Sequence, residues 1–539
     1  MPRPVTLPSG PPHVSGLPGP SPRAQHKAWL AAFAGLSLPI LPTALLLSGS
    51  ACDGDAAMAR PVDEPAAVAK AAGVVPPEPP EPAEELPAEA VTLAEPAEPP
   101  EPEVPAPTGI RVSTRTSIVY AAPRYGSDMR GRIDRGAAFA IYGLVEGTGC
   151  DGEGWARAGH REGDGFVCLK SATPTEVAPQ QLPLVPEGQV VPFIYAKPKA
   201  DRKGKLLAEV PRWRTRHALT GGREPHDHLE ANRQYAFVDL RPVPGHGKIY
   251  EDADEQVVLA RDMRPEQPSN FHGRVLADAP IVEGRMAAWV SSREAEMRAE
   301  PRPGAPVAAT PAFHLQIDAL AEVQQVGRRR WVVVPDGLGP GVPGYMETSM
   351  VRYYEPGPTL TDIGDEETWV DVDVGQQTLA VMQGQRPIFV TLISSGTGSK
   401  PNTSTPKGIY RIRNKIGFGA MRNRPEDAEE TPYHVEAVPW VQYFYRRFAL
   451  HGAYWHDGFG HRKSHGCVNL APRDARYVYG LTTPNIPPGW MSSYEHAGEI
   501  GSVVRVRKGQ EVGEDRRQFN DVEQDATAAA DTVLADGAP

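Results

Sequence analysis

The chain has 539 residues, 40% of them hydrophobic and only 7% aromatic, with 58 prolines and 53 glycines, too many backbone breakers for one compact domain and too aperiodic for collagen. Its formal charge of -11 comes from residues 53–109, where 13 Asp and Glu face 2 Lys and Arg. The neutral remainder excludes the basic footprint that nucleic-acid binding requires.

At the N-terminus, Arg3, Arg23 and Lys27 precede an apolar run, residues 29–47, interrupted by Pro39 and Pro42 and followed by Ser-Gly-Ser-Ala-Cys at 48–52. This pattern predicts a secretion signal over 1–52, since a spanning helix wants about 20 apolar residues without two internal prolines. The small residues before Cys52 resemble the lipobox of bacterial lipoproteins, which implies acylation of Cys52 and a lipid anchor in a membrane; cleavage near Ala51 is the alternative. Residues 53–109, rich in Pro, Glu and Ala, cannot bury a core and are expected to form a disordered, extended tether.

From Ile110 onward short alternating runs are separated by Gly, Pro and Asp, the pattern of all-β units with tight turns. Val119-Tyr-Ala-Ala-Pro-Arg is echoed by Ile194-Tyr-Ala-Lys-Pro-Lys and, more faintly, by Arg298-Ala-Glu-Pro-Arg-Pro. The order of an early Pro, Gly154-Trp155 and a late Gly165-Phe166-Val167-Cys168 resembles bacterial SH3-like domains, small barrels attached to cell-wall enzymes. The resemblance implies one such domain over 110–175 and fainter copies over 185–265 and 285–357, the second misfitting at 211–232. Cys150 and Cys168, both in the first unit, are expected to pair. An exported domain of this size has little core, and such a loop closure is worth about 3 kcal/mol.

Residues 367–508 form the last expected domain. Trp369-Val-Asp-Val-Asp-Val predicts a strand with one buried and one acidic face, leading through Gly384-Gln385 into a second strand at 388–393. Thr405-Pro-Lys-Gly-Ile-Tyr410 predicts a turn and a further strand. Then come Phe448-Ala-Leu-His451-Gly452 and, after eleven residues, Ser464-His465-Gly466-Cys467-Val468-Asn469. A thiol framed by histidine and glycine is the usual setting of a nucleophilic cysteine. It needs an imidazole to take its proton and backbone N–H groups to hold an oxyanion. His451, at the end of an apolar run, is the candidate base, and its help predicts a thiol more reactive than a free cysteine. A metal held by His451, His456, His461, His465 and Cys467 is the weaker reading, because no ligand pair has compact zinc spacing and a metallated thiolate would not attack.

The His-Gly pair, the eleven-residue gap and Ser-His-Gly-Cys-Val-Asn together resemble the signature of the L,D-transpeptidase catalytic domain, the YkuD-like family, and the segment from Thr405 to Tyr410 resembles its weaker second motif. The resemblance implies a mainly β fold, a sandwich with a short helix, following the SH3-like barrels. It implies that Cys467 attacks, that His451 deprotonates it, that the carbonyl of Gly452 orients His451, and that Ser464, His465 and Gly466 build the site. The amides around Gly466 and Cys467 would form the oxyanion hole. Asn469, with Tyr454 and Trp455, would contact substrate. The implied substrate is the peptidoglycan stem peptide, joined third residue to third residue through a cysteine thioester, with no cofactor and no metal. An L,D-carboxypeptidase and a wall-binding tether with an auxiliary enzyme are the alternatives. Residues 509–539, acidic and Ala-rich, predict a disordered tail.

Overall fold

The computed structural model describes residues 105–161, 163–199, 209–231, 233–398, 403–422 and 434–518. The expected leader with Cys52, nearly all of the tether and the residues beyond 518 lie outside them. The described chain is mainly β, and none of its helices is long and apolar enough to cross a membrane.

Residues 367–508 are built on ten strands. Thr368–Asp373 (β1), Thr378–Gln383 (β2) and Arg386–Ser394 (β3) run antiparallel in sequence, and Gly408–Arg411 (β4) follows. Next come Asn414–Arg422 (β5), His434–Tyr445 (β6), Phe448–Gly452 (β7) and Val468–Leu470 (β8). Helix Pro472–Leu481 (α1) starts on a proline, where the missing N–H has no helical partner to lose. Ser492–Tyr494 (β9) and Val503–Lys508 (β10) complete the set. One sheet has the order β3-β2-β1-β10-β4. The other leaves the C-terminal end of β3 and runs β8-β7-β6-β5-β9, with β7 and β8 parallel.

Strand β1 departs from the expected one-sided burial. Asp371 and Asp373 are 2% and 1% exposed, because the parallel register sets Asp371 opposite Arg505 and Asp373 opposite Arg507 on β10. Arg505 Nε donates to Asp371 at 2.8 Å, and Arg507 bridges Asp371 and Asp373 at 2.9 Å. The face that reads as polar in sequence is an interior ion-pair network, tolerable because each carboxylate has a guanidinium fork beside it.

Residues 110–175 contribute eight short strands, and Cys150 is bonded to Cys168 with Cα atoms 5.7 Å apart. This unit continues the second sheet: Gly131 and Arg132, in strand Met129–Ile133, pair with Ser493 and Ser492 of β9. Gly131 permits the approach, since a Cβ there would lie 2.4 Å from the Ser492 carbonyl and 2.6 Å from the Trp490 ring. Val119, Ile133 and Phe139 share one apolar cluster with Ile486, Trp490 and Met491.

The second unit, 194–265, includes a five-residue helix, Arg216–Thr220, capped by Thr215, in the stretch where the repeat misfits. Its strand Arg233–Phe237 runs parallel to the start of β6. The third, 285–353, is a three-stranded sheet centred on Arg285–Val290 beside a five-stranded one, around a core that includes Trp331's neighbour Val332 and Met346. The tail expectation shifts at its start. Residues 509–518 are folded, with Glu511–Val512 turning back onto β10 through Gly509 (φ 58°) and Arg517 bonded to Asp515 and Asp362.

Candidate active site

The parallel pairing of β7 with β8 brings the two halves of the cysteine motif together: Leu450 lies opposite Val468 and His451 opposite Asn469. Cys467 therefore sits at the level of Ala449, and Cys467, His451 and Asn469 occupy one face of the sheet. Cys467 is half-buried and is the free cysteine among the described residues. Its thiol donates to the Arg447 carbonyl at 3.7 Å.

His451 is 1% exposed. Its Nδ1–H donates to the Gly452 carbonyl at 3.2 Å, which fixes the tautomer and leaves Nε2 as the basic atom. Burial pushes the imidazole down to about 4, only partly offset by that hydrogen bond. Burial likewise pushes the Cys467 thiol up, against the opposing effects of the Ala449 amide and Arg447. Both shifts favour the neutral forms, thiol and imidazole, and so run against the expectation of a thiol more reactive than a free cysteine.

The turn before Cys467 is held at both ends. Ser464 Oγ donates to the Cys467 carbonyl at 2.5 Å and accepts the Gly466 N–H at 3.0 Å. That second bond corrects one expectation, because the Gly466 amide is already engaged and is not open to an oxyanion. Gly466 has φ 127°, and a Cβ on it would lie 2.4 Å from the Phe448 ring. Thr405, the first residue of the second motif, accepts the Gly396 N–H at 2.9 Å and donates to the Gly466 carbonyl at 2.7 Å. His465 is exposed.

Of the residues expected to touch substrate, Tyr454 does not belong to the site. It is fully buried, stacked on Tyr195 with ring centroids 3.5 Å apart, and donates its hydroxyl to the Glu436 carbonyl at 2.9 Å. A small aromatic pair in a loop reads as a substrate shelf in sequence, but Tyr454 is the anchor that docks the second unit. Trp455 is half-buried, and its ring stacks on His451 at 5.8 Å.

Asn469 is 2% exposed and lies 3.1 Å from His456 Nε2. Because His456 Nδ1 accepts the Gly458 N–H at 3.2 Å, its proton resides on Nε2, and the amide turned to present Oδ1 receives it. That orientation also satisfies Asn469 Oδ1, which otherwise has no partner. His456, which sequence reasoning considered only as a metal ligand, is thereby a neutral hydrogen-bonding neighbour of the site. Burial first, then Lys463 and His451, push it down to about 4. Among the described residues no group of three His, Cys, Asp or Glu side chains is placed to hold a metal.

Residues 367–506 match the L,D-transpeptidase catalytic domain (YkuD) family. The putative L,D-transpeptidase YciB of Bacillus subtilis (strain 168) is 28% identical over 145 residues, 24% of this chain and 67% of that protein. Among solved structures, the catalytic domain of the E. faecium L,D-transpeptidase is 24% identical over 26% of this chain and 97% of its own, with a TM-score of 0.21. L,D-transpeptidase 3 from Mycobacterium tuberculosis is 17% identical over 35% of this chain and 97% of its own, also at 0.21. With the family match spanning β1 to β10 and His451, Gly452 and Ser464 to Asn469 in their expected order on adjoining strands, residues 367–506 belong to the L,D-transpeptidase catalytic domain family.

Proposed function

We propose that the protein is a peptidoglycan L,D-transpeptidase whose nucleophile is Cys467. The reading is carried by the placement of Cys467 and His451 on one face of two paired parallel strands, with the His451 tautomer fixed so that Nε2 is the basic atom. Nε2 takes the thiol proton as Sγ attacks the carbonyl of the third residue of a stem peptide. The bond to the terminal D-alanine breaks, its nitrogen receives that proton, and a thioester remains on Cys467. The side-chain amine of a neighbouring stem then attacks the thioester, returns a proton through His451 and joins third residue to third residue. Each step is an acyl transfer, so neither ATP nor a redox partner enters the balance.

This activity belongs to the cell envelope, and we read Cys52 as an acylated anchor and the Pro/Glu-rich segment that follows as a tether. The three β units are read as SH3-like domains. Digestion of defined muropeptides by the purified protein, followed by mass, tests the reaction. A cross-linked dimer and loss of D-alanine are expected, with neither formed by Cys467→Ala. Release of D-alanine without cross-linking would replace the transferase with an L,D-carboxypeptidase, and activity in Cys467→Ala would remove the cysteine mechanism.

A further inference from the structure

Eleven residues, 453–463, connect the base to the nucleophile turn, and the third β unit touches most of their second half. His461 Nε2 donates to the Ser291 carbonyl at 2.5 Å, and Arg352 Nε donates to the Gly460 carbonyl at 2.9 Å. His314 Nε2 donates to the Phe459 carbonyl at 3.2 Å, and its Nδ1 lies 3.7 Å from Asp457. Arg293 stands 3.5 Å from the same carboxylate, which also accepts from Ser269. Phe459 is fully buried in a cluster with Trp289 of the third unit.

His314 holds a left-handed backbone, φ 66°, uncommon for a residue with a side chain. That conformation lies at the turn into strand Gln316–Leu320, and it is what carries the imidazole over the loop, its ring tilted at 46° to that of Phe271 with centroids 4.6 Å apart. The loop held in this way contains Trp455, whose ring lies against His451, and His456, which bonds Asn469. From the other side Tyr195 of the second unit stacks on Tyr454.

We propose that the β unit 285–353 is a working part of the active site, and that His314 is a positioning residue that fixes the loop 453–463 and, through Trp455 and His456, the base His451. The unit is then not a separate module for attaching the enzyme to the wall. The proposal rests on the transpeptidase reading only for its kinetic consequence; its structural claim stands without it.

The test uses the full chain and three variants. His314→Gly accepts the left-handed backbone but removes the imidazole. His314→Gln returns an N–H to about the position of Nε2. Asp457→Asn leaves the third unit untouched and weakens the loop's attachment to Arg293 and His314. Amide exchange is read over 453–461, where Ala453, Gly458 and Gly460 donate to Leu470, His456 and Ile393. In His314→Gly it should accelerate about tenfold, the loss of one net hydrogen bond, and in Asp457→Asn it should also rise, while His314→Gln stays near the native rate. Cross-linking kcat in His314→Gly should fall about tenfold with a smaller change in KM, and His314→Gln should recover it. Unchanged loop exchange in His314→Gly and Asp457→Asn, or no recovery in His314→Gln, would overturn the proposal. A native protein that forms no acyl-enzyme would instead remove the transpeptidase reading, since loop exchange is measured without substrate.

Discussion

At the scale of single residues, burial sets the protonation of His451 and Cys467. An imidazole held near 4 is unprotonated throughout the neutral range, so the acid limb of kcat/KM should fall near pH 4 and not at the ordinary histidine value near about 6.5. A pH–rate profile with its acid limb near the ordinary value would show that His451 is more hydrated than its 1% exposure implies. The raised thiol gives the companion prediction: without substrate, Cys467 should be alkylated by iodoacetamide at pH 7 more slowly than free cysteine. His451→Ala should slow acylation by about 10²- to 10⁴-fold, the usual contribution of a positioned base, as measured by the rate of appearance of the acyl-enzyme mass. The same burial links stability to pH. His451 has a folded pKa below its unfolded one, so between about pH 6.5 and 4 the unfolded chain binds the extra proton. Stability therefore falls as pH drops through that window, and the melting temperature should be lower at pH 5 than at pH 7.

At the scale of elements, the second motif acquires a physical role through one hydroxyl. Thr405 Oγ1 joins the Gly396 amide after β3 to the Gly466 carbonyl in the nucleophile turn, and it is 7% exposed. Thr405→Val keeps the shape and leaves a buried donor and a buried acceptor unpaired, each costing about 1–3 kcal/mol. It should lower the melting temperature and slow acylation, with Thr405→Ser restoring both; a Val variant as stable and active as the native protein would show that the turn is held by Ser464 alone. The meeting of the two motif halves was legible in sequence, because Ser464 to Asn469 and His451-Gly452 are local strings that fold onto adjoining strands. What was not legible depends on partners distant in the chain. The acidic positions of β1 alternate as a solvent face would, and only the parallel register with β10 supplies Arg505 and Arg507. Tyr454 and His456 are only two positions apart in sequence, yet one packs on Tyr195 and the other bonds Asn469. His314 carries no sequence signal at all, since its role follows from a left-handed backbone conformation and from a loop more than a hundred residues away.

At the scale of the whole molecule, the repeats suggest beads on a string, whereas the described chain is joined by shared sheets and shared core. The first unit supplies Val119, Ile133 and Phe139 to the cluster that contains Trp490 and Met491, and its strand Met129–Ile133 hydrogen-bonds to β9. A domain cut at residue 367 would expose that apolar face and lose two ladder pairs at the sheet edge. A chain reduced to 367–508 should therefore aggregate or fail to fold, while one that keeps 105–518 folds. Calorimetry gives the sharper test, because a unit of about 65 residues that unfolded alone would have a transition of its own at lower temperature. With a common core, residues 110–175 and the catalytic sandwich should melt together, and reducing Cys150–Cys168 should lower that shared transition. Gly131→Val uncouples them by design, since its side chain would press into the Ser492 carbonyl and the Trp490 ring without touching the chemistry at Cys467. In that variant a separate early transition should appear, and loss of cross-linking should follow the early transition on heating if β9 depends on the first unit. A separate early transition already present in the native protein would mean that the continuous sheet adds no cooperativity, and the first unit would then be a bead after all.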